Sequence, residues 1–277
     1  MMTRLAMYLL LGGVPLSLAA LGGGHALPFY LAGVVLTASL APIALFGPRT
    51  FLGQLAVIVP ILVVVNSFCL WTESLIFLPA MRAAATQTLL AMIIMNLVQG
   101  AALAGLGMLL KELRSSPREP LVFYPWRTWA LRVSLCALAY VVFYLVFGSL
   151  TYNYFTRPFY PDAYQQVAAL GIWFWPIQAA RGLLMTLAVL PAIATLHMRR
   201  WPAALTVGAM LWVTGGLAPL LLPNPYFGTA QRLYHIIEIL TQNASLGITA
   251  VLLMRMPRLP RKATASDGSR SGQGSQG

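Results

Sequence analysis

Four ionisable side chains lie within strongly apolar stretches of this sequence: Glu73, Arg181, His235 and Glu238. A charged residue at the centre of a membrane helix costs about 2.5–3.5 kcal/mol in insertion experiments, so such residues are retained for structural or functional reasons. A histidine beside a carboxylate can transfer protons, and an arginine can bind an anionic group. These four residues are therefore the first candidates for a site.

Each candidate has polar neighbours at helical spacing, because residues three, four or seven apart share a helix face. Asn66 lies seven residues before Glu73, and Gln178 lies three residues before Arg181. The last apolar stretch carries a polar stripe of His235, Glu238, Gln242 and Ser245. We predict that a substrate-binding site is built from these helix faces by seven residues: Glu73, Arg181, His235, Glu238, Asn66, Gln178 and Asn243.

Three functions fit this set of residues. A small transporter or permease would use Arg181 to bind an anionic group and Glu73 or Glu238 to carry a proton. A membrane-embedded enzyme acting on a lipid or isoprenoid would use His235 and Glu238 as acid and base, with Arg181 holding a headgroup. A non-catalytic accessory subunit would need the charges only as a clamp between helices. The transporter is the leading hypothesis, and a small-molecule or lipid ligand fits either of the first two.

Other chemistry has little support in the sequence. A metal held by Glu73, His235 and Glu238 would be repelled by the adjacent arginine. The sequence has no glycine-rich phosphate loop, no nucleophile elbow and no His-Glu-x-x-His motif. We predict no metal and no cofactor. Asn96 and Gln99 are expected to be hydrogen-bond partners between helices rather than ligands.

The elements that must position these residues are membrane helices. Of the 277 residues, 59% are hydrophobic and 9% are charged, and the mean hydropathy is +0.76. Soluble domains have about 25% charged residues, so a soluble globular fold is excluded. Because lipid cannot satisfy backbone polar groups, each apolar stretch should form a helix. We predict an all-α polytopic bundle, a single domain over 1–255, with about eight spanning helices near 5–22, 27–46, 51–79, 84–110, 129–151, 167–197, 203–222 and 233–254.

Lysine and arginine positions predict the orientation of this bundle. With a cytoplasmic N-terminus, fourteen basic residues fall on the cytoplasmic side and three on the other side, which favours two cytoplasmic termini. The net charge of +12 therefore reflects topology, and we predict no nucleic-acid partner. The basic side should contact anionic lipid headgroups. An excess of arginine over lysine, with much Ala, Leu and Gly, suggests the inner membrane of a bacterium.

The two ends of the chain allow further expectations. Arg4 followed by an apolar run also fits a signal peptide cleaved near Ala20 or Ala26, which would leave seven helices. The Gly-, Ser- and Arg-rich residues 256–277 are predicted to be a disordered cytoplasmic tail. Two cysteines, Cys69 and Cys136, lie at different predicted depths, and we expect free, buried thiols.

The candidate charges fall at one depth of the predicted bundle. At 1.5 Å per residue, Glu73 lies about 9 Å and Glu238 about 8 Å below the outer edge. The sixth apolar stretch is too long for one span, and a division at Pro176 would bring Arg181 to a similar depth. We therefore predict a polar pocket that opens outward, with two tryptophans at its mouth, Trp173 and Trp175.

The connection at 152–166 contains six aromatic residues, which favours anchoring at the lipid headgroups over a lid on the pocket.

The C-terminal third resembles a pattern found in polytopic bacterial membrane proteins with no assigned activity. The resemblance covers about 100 residues and consists of RGLL at 181–184, LP at 190–191, LLLPNPY at 220–226, and Arg232, His235, Glu238 and Asn243. It implies no reaction or substrate. What it implies is that four residues, Arg181, His235, Glu238 and Asn243, belong together as one set.

Overall fold

The computed structural model describes residues 2–20, 24–77, 82–113, 125–160, 162–224 and 227–256, and in these ranges it contains helices and no strand. The helices are α1 (Met2–Leu18), α2 (Ala26–Phe46), α3 (Phe51–Phe77), α4 (Gln87–Leu110), α5 (Trp126–Phe159), α6 (Gln165–Thr195), α7 (Arg200–Leu221) and α8 (Thr229–Met254).

Seven of the described helices, α2 to α8, are long and apolar enough to cross a membrane. The chain is therefore a multi-pass, all-helical membrane protein. The first predicted span is the shorter α1, which is divided at Gly13 into Met2–Gly12 and Val14–Ala19. At 1.5 Å per residue it reaches about 26 Å, less than a hydrocarbon core of about 30 Å. The predicted eight spans become seven long helices and one short apolar helix.

Glycines bring the helices of the second half of the chain into close contact. A Cβ added at Gly247 of α8 would lie 2.7 Å from Cα of Gly208 in α7. A Cβ added at Gly182 of α6 would lie 2.6 Å from Cβ of Tyr140 in α5. Lipid tails are as apolar as the helices themselves, so close van der Waals packing of this kind drives association in a membrane.

Four helices contain a wide π turn. These turns are Ile61–Cys69 in α3, Tyr152–Thr156 in α5, Val213–Leu217 in α7 and Leu240–Ala244 in α8. The turns in α3 and α8 both pack against the turn in α7. Such turns are frequent at functional sites because they re-aim the side chains that follow them.

The long α6 divides at Gly171 rather than at the predicted Pro176. The part of α6 before the division ends at Leu170, and the φ of the next residue, Gly171, is 54°, in the left-handed region that favours glycine. The main segment, Phe174–Thr195, then has Pro176 in its first turn. Proline fits there because the first backbone N–H groups of a helix have no partner within the helix.

The bundle has two chemically different ends. At one end, which we call the basic end, arginine side chains donate to backbone carbonyls that terminate α6 and α8: Arg132 to Leu253, Arg200 to Leu252, and Arg255 to Ile193, Leu196 and Met198. The opposite end, the site end, contains the predicted carboxylates and histidine. The tail at 257–277 and the basic loop at 114–124 lie outside the described residues.

Candidate functional site

A cavity of about 420 Å³ opens at the site end between α3, α4, α5, α6, α7 and α8. Its volume lies in the range of about 300–1,000 Å³ that is typical of ligand pockets. Most of its wall is apolar, and aromatic rings form a large part of it: Trp71, Phe77, Tyr144, Tyr152, Tyr160, Phe174, Trp175 and Phe227. The ionisable groups on this wall are therefore few and sit in a mainly apolar setting.

Glu73 of α3 and Arg181 of α6 form an ion pair beside the cavity. Arg181 Nη2 donates to Glu73 Oε2 at 2.8 Å, and Arg181 Nη1 donates to Gln178 Oε1 at 2.8 Å. The Arg181 side chain is 6% exposed and that of Glu73 is 31% exposed. Glu73 lines the cavity, whereas Arg181 lies behind it.

Aromatic rings complete the surroundings of Arg181. Its guanidinium carbon lies 5.8 Å from the ring centroid of Tyr140 and 5.8 Å from that of Tyr144, both on α5. Rings at this distance attract a cation through their negative faces. The arginine is thus held by α3, α5 and α6 together and does not reach the main cavity. The prediction that Arg181 holds an anionic headgroup does not fit this geometry.

A hydrogen-bonded chain of three side chains also lies on the cavity wall. Tyr160 Oη lies 2.6 Å from His235 Nε2, and His235 Nδ1 lies 3.0 Å from Glu238 Oε2. Gln242 Nε2 donates to the second carboxylate oxygen of Glu238 at 3.2 Å. All four residues line the cavity. The α8 residues meet because spacings of three and four place them on one helix face.

When Glu238 is ionised and His235 is neutral, the chain assigns one role to each imidazole nitrogen. An ionised Glu238 only accepts hydrogen bonds, so His235 Nδ1 carries the proton that it donates. Nε2 is then the acceptor for the hydroxyl of Tyr160. Burial raises the pKa of the Tyr160 hydroxyl above its usual range, which keeps the phenol protonated as a donor at neutral pH. The arrangement of an O–H group, a base and an orienting carboxylate is the one that activates O–H groups in enzymes.

A second cavity of about 10 Å³ lies behind the first, with room for about one water molecule. Arg181 and Asn243 line it, together with residues of the π turns in α3 and α7. Asn243 Nδ2 donates to the carbonyl of Leu211 in α7 at 3.2 Å. Asn243 thus ties α8 to α7 and does not line the main cavity.

Asn66 lies apart from the other predicted site residues. Its Nδ2 donates to Asn96 Oδ1 of α4 at 3.0 Å, and Asn96 Nδ2 donates to Ser67 Oγ at 2.8 Å. Asn66 belongs to the π turn of α3, which changes the helical register before Glu73, so spacing by seven does not bring the two residues to one cavity. Asn96 and Gln99 are confirmed as partners between helices, the latter donating to the Gly12 carbonyl at 2.8 Å.

The seven predicted site residues thus separate into groups. Glu73, His235 and Glu238 line the main cavity; Arg181 with Gln178, and Asn243, support it from behind; Asn66 pairs elsewhere. Tyr160 was not predicted as a site residue, because it lies in the aromatic connection assigned to the headgroup region. The sequence gives no signal that singles it out, because the same connection contains three other tyrosines, Tyr152, Tyr154 and Tyr164.

The described residues contain no group of three His, Cys, Asp or Glu side chains arranged to hold a metal ion. A site made by Glu73, His235 and Glu238 is therefore not assembled. Cys69 and Cys136 are free and buried, as expected from their positions.

Comparison of the chain with protein-family models, with curated proteins and with solved structures finds no match in any of the three. Function must therefore be inferred from the geometry of the cavity and its lining residues.

Proposed function

We propose that this protein is a membrane-embedded enzyme that performs acid–base chemistry on an amphipathic substrate held in the cavity at the site end. The observation that carries the proposal is the chain Tyr160–His235–Glu238 on the wall of a mainly apolar cavity. The apolar wall suits a lipid or isoprenoid chain, and the polar side places a base beside it.

The three residues form a proton relay. A substrate group transfers its proton to Tyr160 Oη while the tyrosine passes its own proton to His235 Nε2. The products of this step are a deprotonated substrate, a neutral tyrosine and an imidazolium, which Glu238 stabilises through Nδ1. In the reverse direction the same relay returns a proton to the product. Glu73, held by Arg181, lines the same cavity and would contact the substrate outside the relay.

Two features favour the enzyme over the alternatives. An accessory subunit held by a clamp has no need of a cavity with a base on its wall. A transporter needs a path through the protein, whereas the helices between the cavity and the basic end are tightly packed, with fully buried side chains: Val189, Ala192, Val207, Leu246 and Ala250.

A transporter is the second candidate, favoured by the adjacent π turns of α3, α7 and α8 behind the cavity. Interrupted helices at a binding site are typical of transporters, in which they bend as the site changes sides. In that case Glu73 or Glu238 would carry the coupled proton.

We further propose the inner membrane of a bacterium as the location, with both termini cytoplasmic and the site end facing outward. The basic end, with Arg132, Arg200 and Arg255, would then lie among anionic headgroups of the inner leaflet. In this proposal residues 1–255 form one domain, followed by a basic tail.

The test compares membranes of a bacterial host that expresses the wild type, His235→Gln or His25→Gln. His25 is exposed and lies outside the cavity, so this variant controls for loss of a histidine. Lipid extracts are analysed by mass spectrometry after the amount of folded protein has been matched by size-exclusion chromatography. We expect new lipid species with the wild type and His25→Gln and none with His235→Gln.

Two results would overturn the enzyme. One is the same lipid conversion by His235→Gln and the wild type. The other is an altered distribution of a lipid between the leaflets without any new species, which would support the transporter instead.

A further inference from the structure

The charged groups on the cavity wall have one sign. Glu73 and Glu238 both line the cavity, and no lysine or arginine is among the described residues that line it. Arg181 contacts Glu73 from the side of the small second cavity, so its charge is presented to the carboxylate and not to the main cavity. A ligand that enters the main cavity therefore meets carboxylates first.

The net charge of this group of side chains is also negative. Arg181 neutralises one carboxylate, that of Glu73. In the tautomer that donates Nδ1–H to Glu238 and accepts the Tyr160 hydroxyl at Nε2, His235 is a neutral imidazole and adds no positive charge beside Glu238. In a setting of low dielectric constant an uncompensated carboxylate strongly favours a cationic partner and disfavours an anionic one.

The aromatic wall has the same preference. Ring faces attract cations, and cages of aromatic residues are used to bind quaternary ammonium groups. Trp71 of α3, Tyr144 and Tyr152 of α5, and Trp175 of α6 lie on the same cavity wall as the two carboxylates. Rings and carboxylates together thus provide both kinds of group that hold an organic ammonium ion.

A metal cation fits this wall poorly, since hard cations need several oxygen ligands and the described residues assemble no such group. The remaining wall, formed by side chains such as Leu70, Leu145, Val167 and Ile239, suits a hydrocarbon chain. An ammonium ion attached to such a chain fits both parts of the cavity.

We infer that the ligand of this cavity is a cationic amphiphile, whose ammonium headgroup binds between Glu73 and Glu238 and whose chain lies along the apolar wall. The inference rests on the proposed function, because it names the substrate class of the same cavity. It differs from the sequence-based expectation that Arg181 binds an anionic group, because the guanidinium of Arg181 is already paired with Glu73.

The experiment uses the full chain in nanodiscs and three compounds with the same tail: dodecyltrimethylammonium, dodecanol and dodecyl phosphate. Binding is followed by fluorescence of the cavity tryptophans, with empty nanodiscs to subtract partition into lipid. We expect the ammonium compound to bind about tenfold or more tightly than dodecanol, since only the ammonium group gains the attraction of a cation to the ring faces. Dodecyl phosphate should bind most weakly.

Variants test the two carboxylates directly. Glu238→Gln should weaken binding of dodecyltrimethylammonium about tenfold and leave dodecanol unchanged. Asp162→Asn removes the same charge from an exposed position that does not line the cavity, and should change neither compound. Glu73→Gln should also weaken binding of the ammonium compound and leave dodecanol unchanged. If Glu73→Gln fails to fold, the comparison of the three headgroups and the result for Glu238→Gln still test the inference.

The failures can be told apart. Equal binding of the three compounds, or unchanged ammonium binding by Glu238→Gln, would overturn the ammonium headgroup and leave an amphipathic substrate in place. Absence of binding by all three compounds, dodecanol included, would overturn the proposed function together with this inference.

Discussion

The two ends of the bundle use charged side chains in opposite ways. At the basic end, the guanidinium of Arg255 donates to the carbonyl of Ile193 in the last turn of α6 and to those of Leu196 and Met198 just after it. The last carbonyls of a helix have no partner within the helix and form the negative end of its dipole. An arginine at this position donates hydrogen bonds to these carbonyls and places a positive charge at the negative end. At the site end, His235 and Glu238 bond to each other and to side chains, and they face a cavity.

The difference separates structural charges from reactive ones. A side chain whose hydrogen bonds all go to backbone groups has no capacity left for a ligand, whereas one that bonds to another titratable group can exchange a proton with it. Arg181 lies near the site end and bonds to side chains, yet its role is structural because it is buried and held by Glu73, Gln178 and two tyrosines.

The largest expected effect on stability is that of Arg181→Gln. The substitution leaves the carboxylate of Glu73 in an apolar setting without its cation, and breaking a buried ion pair costs about 3–5 kcal/mol. Because Glu73 is partly exposed, we expect a loss of about 3 kcal/mol. This should appear as a fall of about 6–12 °C in the thermal midpoint measured in mild detergent.

Two double variants sharpen this result. Glu73→Gln with Arg181→Gln removes both charges and should recover most of the lost stability. The exchanged pair, Glu73→Arg with Arg181→Glu, should fold if the charges act only as a clamp. If the exchanged pair also gives full lipid conversion, Glu73 has no role at the cavity and this half of the site is purely structural.

Arg255→Gln should have the next largest effect, with no effect on ligands. It removes hydrogen bonds to three carbonyls, and water at the end of the bundle replaces part of them, so we expect a loss of about 2 kcal/mol in the free energy of unfolding. Arg49→Gln removes the same charge from an exposed position and should cost less than about 0.5 kcal/mol. An effect of Arg255→Gln on dodecyltrimethylammonium binding would contradict the separation of the two ends.

Tyr160→Phe should cost little stability and most of the activity. Loss of one partly buried hydrogen bond lowers the free energy of unfolding by about 1 kcal/mol. Loss of a group in general acid–base catalysis lowers rates by about 10²–10⁴. The measurement is the amount of converted lipid per folded protein. Tyr154→Phe removes a hydroxyl from a residue of the same region that is 76% exposed, and should leave conversion unchanged. Full conversion by Tyr160→Phe would remove the tyrosine from the relay.

Much of the site end follows from the sequence because the cost of charge in lipid and the helical period are both strong constraints. They account for the contact of His235 with Glu238 three residues later, and for that of Arg181 with Gln178. The ion pair of Glu73 with Arg181 follows from the similar predicted depth of the two residues in the membrane. Two opposite charges at one depth of a bundle lower their free energy by pairing.

What could not be predicted depends on local departures from the regular helix. The π turn of α3 shifts the register, so that Asn66 turns toward Asn96. Apolar composition is the same for an α turn and a π turn, so the sequence carries no sign of the shift. Tyr160 lies in a connection between helices, where periodicity says nothing about direction, and only the path of the chain brings it to His235.

Gly148→Ala should have the smallest effect on stability and still distinguish the two ends. Alanine favours a helix over glycine by about 1 kcal/mol. The new Cβ would lie 3.3 Å from Gln242 Nε2 and 3.5 Å from Glu238 Oε1, both at the ends of flexible side chains that can yield slightly. These effects nearly cancel, and we expect a change within about 0.5 kcal/mol.

The added methyl group nevertheless occupies the cavity beside the carboxylate proposed to bind the headgroup. Binding of dodecyltrimethylammonium should therefore fall several-fold, while the thermal midpoint stays unchanged. Gly105→Ala makes the same substitution on α4, where a Cβ meets nothing within 4 Å. It should leave ammonium binding unchanged and raise the thermal midpoint by about 2–4 °C, because nothing offsets the gain of about 1 kcal/mol in helix propensity. If Gly148→Ala binds the ammonium compound as the wild type does, the headgroup does not approach Glu238 from α5. The headgroup would then have to bind on the Glu73 side of the cavity.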